Sequence, residues 1–235
     1  MKFYLGGYFL LKLQPLKFGT KAGDIVYTCS DCINSNTINN WAYSWTTDNT
    51  DETEEAKEKF SLDDNKVISI RTWIDKKQEA GKVGWINVFT DLESVSEYKQ
   101  TFFPHLDELK VIALYFDEEE TRNIIDDFKP LSKEFGEIGL RLNLLRHIEE
   151  KEDENELLLG YDFIGVELGG DFHSFHCHDI GTELSTKFGL TLNSSGLFEN
   201  NKNWKQVLNY LNNEENGCEP VPWYVTKAKL ININA

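Results

Sequence analysis

The sequence predicts an α+β fold with a mixed, largely antiparallel sheet and helices packed against it. Three observations carry this. "LKVIALYF" (109–116) is a continuous apolar run, the pattern of a strand buried on both faces. "LLLGYDFIGVEL" (157–168) and "FHSFHCH" (172–178) flank Gly169-Gly170-Asp171, where a glycine pair supplies the positive φ angles of a tight hairpin. Between these runs lie helical patterns, so hairpins and strand–helix alternation are mixed in one chain.

Taken in order, residues 2–13 read as a strand ended by Pro15, and "DIVYTCSD" (24–31) and "NWAYSWTT" (40–47) as short strands rich in β-branched and aromatic residues. Residues 51–60 have helix-forming composition, with Ala56 and Phe60 four apart on one face. From Asp64 to Ala80 the set Val67, Ile70, Trp73 and Ile74 repeats at helical spacing, with Asp63 or Asp64 to cap the start and Gly81 to end it. "VGWINVF" (83–89) reads as extended. Thr90 or Asp91 caps a helix to about Phe103, stopped by Pro104. After the 109–116 strand comes a helix over 118–128 with Ile124, Ile125 and Phe128 inward. "EIGLRLNLL" (137–145) alternates, which predicts a strand. Beyond the hairpin, Asp179 reads as the cap of a helix ending at Gly189. "LTLN" (190–193), a helix around 203–212 and a strand over 222–233 close the chain. With no repeats and no Pro/Gly/Ser linker, residues 1–235 read as a single domain, its weakest subdivision near 104–110.

Apolar residues at 40% are enough for a packed core and exclude a disordered chain. The opening "MKFYLGGYFLLKLQP" is too short an apolar run to span a bilayer and lacks a small-residue cleavage site, so neither membrane insertion nor secretion is expected. Four cysteines in this length make no disulfide framework, which points to a reducing cytoplasm.

The net charge of −16 is local: residues 48–64 carry −6, 117–127 carry −5 and 149–156 carry −5, which accounts for all of it. Such a field repels nucleic acid and anionic membrane and steers basic partners inward. It also argues against reading "WAYSW" (Trp41, Tyr43, Trp45) as a stacking platform for bases, because such platforms lie in positive grooves.

"FHSFHCHD" (172–179) holds three of the five histidines. Read as a strand, it puts His176 and His178 on one face and His173, Phe175 and Cys177 on the other, so its four potential ligands split. Two ligands do not close a tetrahedral site, and adding Cys29 and Cys32 of "CSDC" matches no zinc-finger spacing. A base for Cys177 would have to come from elsewhere in the fold, for example His105 or His147. No nucleophile elbow, phosphate-binding loop, zinc-protease or dinucleotide motif is present. The expectation is therefore no enzyme and no cofactor. The alternative is a metal-binding protein or metal-dependent enzyme using His173, His176, Cys177 and His178.

The opening "MKFYLGGYFLLKLQP", "WAYSW", "GWINVFTDLE" and above all "GYDFIGVELGGDFHSFHCHDIGTELSTKFGLTLNSSGL" resemble bacterial immunity proteins. These are the cytosolic antidotes of polymorphic-toxin and contact-dependent growth inhibition systems. The resemblance implies a non-catalytic antitoxin that binds and neutralises one cognate toxin domain, with a basic RNase or DNase as the expected partner. It brings no interface motif with it. The acidic segments supply the expected toxin-binding residues: Glu149, Glu150, Glu152, Asp153 and Glu154 first, then Asp51, Glu52, Glu54 and Glu55. The rival face is aromatic, built from Trp41, Trp45, Trp73 and Trp85, with the acids only steering.

Overall fold

A computed structural model describes residues 2–38, 51–84, 88–129, 139–167 and 172–233. The strand expected at 40–47, with Trp41 and Trp45, lies outside the described residues, as do Trp85, the Gly169-Gly170-Asp171 turn and the side chain of Glu52.

Strand β1 (Phe3–Lys12) runs antiparallel to β3 (Leu109–Asp117), with Phe3 opposite Asp117 and Lys12 opposite Leu109. Its end also pairs with the two-residue strand β2 (Ser35–Asn36). On its other side β3 pairs with β6 (Trp223–Ile231), β6 with β4 (Glu156–Val166), and β4 with β5 (Phe172–Ser174). The order is β2-β1-β3-β6-β4-β5, and every described ladder is antiparallel. The apolar run at 109–116 is thus a central strand, as its composition requires.

Two bulges bend this sheet, and each contains a glycine at a position where any side chain would be strained. At the β1 bulge Gly7 has φ +144° and a side chain there would strike Val88 Cγ1 at 2.2 Å. At the β4 bulge Gly160 has φ +142° and a Cβ would lie 2.8 Å from the Phe198 carbonyl.

Helices cover both faces. On one face α1 (Asp51–Phe60), α2 (Asp64–Glu79) and α3 (Leu92–Phe102) bury Phe60, Val67, Ile70, Ile74, Val95 and Tyr98 against Leu10, Val111 and Ala113. Asp63 and Asp91 cap α2 and α3, accepting from the Lys66 and Ser94 amides at 2.8 Å. The opposite face carries α4 (Glu118–Asp127), whose Ile124 packs with Phe9, Ile112, Leu114, Phe116 and Leu140. At the far end α6 (Gly181–Phe188) and α7 (Trp204–Leu211) close over Phe163, Trp223 and Val225.

Four sequence expectations fail here, each for a stated reason. Residues 139–144 form a helix, α5 (Gly139–Leu144), not a strand. Leu140 and Leu144, both fully buried, satisfy a helical four-residue spacing as well as an alternating one. The intervening Arg141 and Asn143 are buried too, donating to the Ile125 and Gly6 carbonyls. Residues 24–31 form no regular strand beyond a single bridge at Ile25, because the Asn34 amide occupies the Val26 and Thr28 carbonyls at 2.8 Å. The 172–178 strand ends at Ser174, where the chain turns into a 3₁₀ helix (Phe175–His178) capped by the Ser174 hydroxyl. Asp179 does not cap α6. It adopts φ 52° and accepts from the Thr20 amide at 2.9 Å, and α6 starts after Ile180 without a side-chain cap.

Candidate functional site

The three acidic segments meet three different fates. In the third, backbone hydrogen bonds from Leu5 to Ile148 and from Glu150 to Phe3 tie the start of the loop to β1. Asn232 donates to Asn155 at its end. Between these anchors Glu152, Asp153 and Glu154 are exposed, with Asp153 accepting from the Asn155 amide to hold the turn. Glu149 is exposed and pairs with Lys2 at 2.9 Å. Glu150 is different. Its carboxylate turns inward onto Lys227 at 2.6 Å and Lys229 at 2.5 Å, with Glu156 completing the network at 2.9 Å from Lys229. Burial opposes ionisation of Glu150, but the two lysines outweigh it and hold its pKa below the usual range. Exposed apolar side chains flank the loop: Ile148 on one side, Leu157 and Leu158 on the other, the last two at least half exposed.

In the first segment, Asp51, Glu54 and Glu55 lie on the solvent face of α1, while Ala56 and Phe60 face the core. Glu54 and Glu55 pair with Lys57 and Lys59 of the same helix. The second segment is largely structural. Asp117 caps α4 by accepting from Glu119 and Glu120, both at 2.9 Å. Glu120 accepts from the Val225 amide of β6 and from Asn123. It borders a cleft of about 320 Å³ between α4, α7 and β6, walled by Trp204 and Trp223. Burial pushes Glu120 up to about 7. The cleft's other acids are engaged as well, Asp127 by the Tyr224 hydroxyl at 2.7 Å and Glu119 by Lys205 at 2.8 Å. Trp73, the described member of the aromatic face, packs on Tyr98, Phe89 and Phe102, and its indole donates to Glu97 at 2.7 Å. It belongs to the core margin.

The histidines of "FHSFHCHD" diverge, because the 3₁₀ turn breaks strand alternation. His176 is buried, with Nε2 at 2.7 Å from the Gly196 carbonyl. His178 lies edge-on to Trp223. Cys177 meets the Ser30 hydroxyl at 3.3 Å and accepts from the Ser174 amide. His173 has its Nε2 2.8 Å from Glu167 and its Nδ1 3.9 Å from Cys32 Sγ. Among the described residues no group of three or more His, Cys, Asp or Glu is placed to hold a metal ion. The four ligands of the metal alternative thus do not converge on one point: His176 turns to Gly196 and His178 to Trp223, away from His173 and Cys177.

What the fold does bring together is Cys32, Cys177, His173 and Glu167. The Cys32 thiol is held far below its ordinary pKa, by Cys177 first and then by His173. The same contact with Cys32, together with burial, pushes Cys177 up, while Cys32 and Glu167 raise His173 to about 9. These shifts favour a thiolate–imidazolium pair backed by a carboxylate, with the second thiol kept protonated. Both sequence halves, "CSDC" and "FHSFHCH", stood out, but spacing tied Cys32 to His176 and His178. The contact with His173 depends on where the 24–34 loop crosses β5. Cys29, the other half of "CSDC", is buried in the core beneath.

No helix among the described residues is long and apolar enough to cross a membrane. No family model, curated protein or solved structure matches the chain.

Proposed function

We propose that this protein is a cytoplasmic immunity protein that neutralises a basic toxin domain, an RNase or DNase, by stoichiometric binding. The observation that carries the reading is the segment 148–158, a loop and the first residues of β4. A rigidly anchored turn presents Glu149, Glu152, Asp153 and Glu154 between exposed Ile148, Leu157 and Leu158. Apolar anchors rimmed by carboxylates form the surface that a cationic, substrate-phosphate-binding face complements: the side chains desolvate and the charges steer. Glu150 leaves the contact set and takes a supporting role, since its charge is already matched by Lys227 and Lys229. Asp51, Glu54 and Glu55 extend the field without forming the anchor.

The test is to look for a neighbouring upstream reading frame that ends in a small toxic domain, co-express that domain with this protein, and follow association kinetics on the purified pair. Protection of growth and a 1:1 complex are expected. Charge reversal at Glu152, Asp153 and Glu154 should slow association about tenfold at low salt and much less at high salt. Leu157→Ala with Leu158→Ala should raise the dissociation rate instead. Absence of both protection and complex would refute the reading. A complex indifferent to all five substitutions would move the interface elsewhere.

A further inference from the structure

We propose that Cys32 and Cys177 are a redox pair, in which Cys32 attacks a hydroperoxide and Cys177 resolves the product to an intramolecular disulfide. This is independent of toxin binding and stands on the geometry of four side chains from separate parts of the fold. Cys32 is exposed at the surface of the 24–34 loop, so a small oxidant can reach it. His173, only 12% exposed at its side chain, places Nδ1 3.9 Å from the sulfur and is oriented from behind by Glu167 at 2.8 Å. That carboxylate fixes which ring nitrogen faces the thiol and favours the charged ring. Cys177 is held in place by the Ser174 amide at 3.4 Å and the Ser30 hydroxyl at 3.3 Å. Ser30 stands two residues before Cys32, so its hydroxyl ties Cys177 to the loop that carries Cys32. In an acyl-transfer triad the space beside the nucleophile holds oxyanion donors. Here it holds a second thiol, the group that captures a sulfenic acid.

The steps balance. The Cys32 thiolate attacks the terminal oxygen of the hydroperoxide; the S–O bond forms, the O–O bond breaks, and the leaving alkoxide or hydroxide takes the proton of the His173 imidazolium. Cys177 sulfur then attacks the sulfenic sulfur. The S–S bond forms, the S–OH bond breaks, and hydroxide leaves as water with the Cys177 proton. Two thiols lose two electrons in all, and the peroxide becomes one alcohol (or water) and one water. A small thiol in excess restores the pair by two exchange steps.

The test treats the reduced full chain with one equivalent of hydrogen peroxide and maps its peptides without reduction. A Cys32–Cys177 cross-link, lighter by two hydrogens and reversed by dithiothreitol, is expected. Cys177→Ser should instead leave Cys32 as a sulfenic acid that dimedone traps, and Cys32→Ser should protect Cys177. The titratable groups facing Cys32 are His173, Cys177 and, behind the ring, Glu167. His173→Asn should therefore move the pH midpoint of Cys32 alkylation upward and slow its reaction at neutral pH at least tenfold. Glu167→Gln should do the same to a lesser degree, which a purely structural role would not produce. A wild-type Cys32 that alkylates no faster than an ordinary thiol, a cross-link joining other cysteines, or stoichiometric zinc in protein isolated without added metal would each overturn the proposal.

Discussion

Glu150 and Asp162 both lie against β6, yet they ionise in opposite directions. Glu150 reaches Lys227 and Lys229, and its carboxyl stays charged below the usual range. Asp162, opposite Thr226 in the ladder and 1% exposed, has Thr28 and the Phe163 amide for neighbours in place of a cation, and its Oδ1 has no hydrogen-bond partner. Burial pushes it up to about 7. Glu120, which accepts from Val225 at the same strand, behaves like Asp162. Desolvation acts on all three; a lysine within reach decides the sign. In a chain with sixteen surplus negative charges, cations are the scarce resource, and two of them are committed to one corner of the sheet.

The largest expected effect comes from breaking that corner. Lys229→Met leaves Glu150 and Glu156, 17% and 12% exposed at their side chains, short of their shared cation. Removing one partner of so enclosed a pair costs about 3 kcal/mol, measurable by urea unfolding at pH 7. Adding Glu150→Gln and Glu156→Gln should recover most of the loss. If the single change costs nothing, the network is only a surface ornament.

The next effect is pH-dependent. A carboxyl whose folded pKa is raised stabilises fully below its unfolded value, and that contribution is lost as pH rises through the folded one. Asp162 and Glu120 should thus erode stability between about pH 4 and about pH 7. Asp162→Asn keeps a carbonyl oxygen in a side chain of the same size and removes the charge. It should be about 2 kcal/mol more stable than the wild type at pH 8 and show no gain near pH 4. Chemical denaturation at the two pH values decides it; a loss at pH 8 would mean the ionised form is needed. Glu150→Gln should run the other way. Its stabilisation is present above the ordinary glutamate pKa and lost as pH falls through the lower folded value, so the variant's deficit should shrink on acidification. The smallest effect belongs to Glu54→Gln and Glu55→Gln. These remove exposed pairs within one helix turn and should leave the urea midpoint unchanged within error.

Legibility from sequence divided along the same line. Elements with a local cause were readable: α2 and α3 have aspartate caps, and β3 is an unbroken apolar run. Elements whose pattern fits two periods were not. Leu140 and Leu144 suit a strand or a helix, and only the buried hydrogen bonds of Arg141 and Asn143 select the helix. The acidic segments look alike as text. Asp117 and Glu120 were drawn inside by amide donors of α4 and β6, Glu150 by lysines some eighty residues later, while Asp153 accepts from Asn155 within its own turn and stays in solvent with Glu152 and Glu154.

By itself, the sequence determined the α+β class, α2 and α3 with their aspartate caps, the central strand and the overall negative field, because each follows from short-range periodicity or from composition. Tertiary structure alone decided which carboxylates are paired, that "FHSFHCHD" turns into a 3₁₀ helix after Ser174, and that His173 meets Cys32 across 141 residues of chain. Such contacts depend on which loops cross which strands. No local preference encodes that choice; it is set when the sheet closes and the polar groups left inside must find their partners.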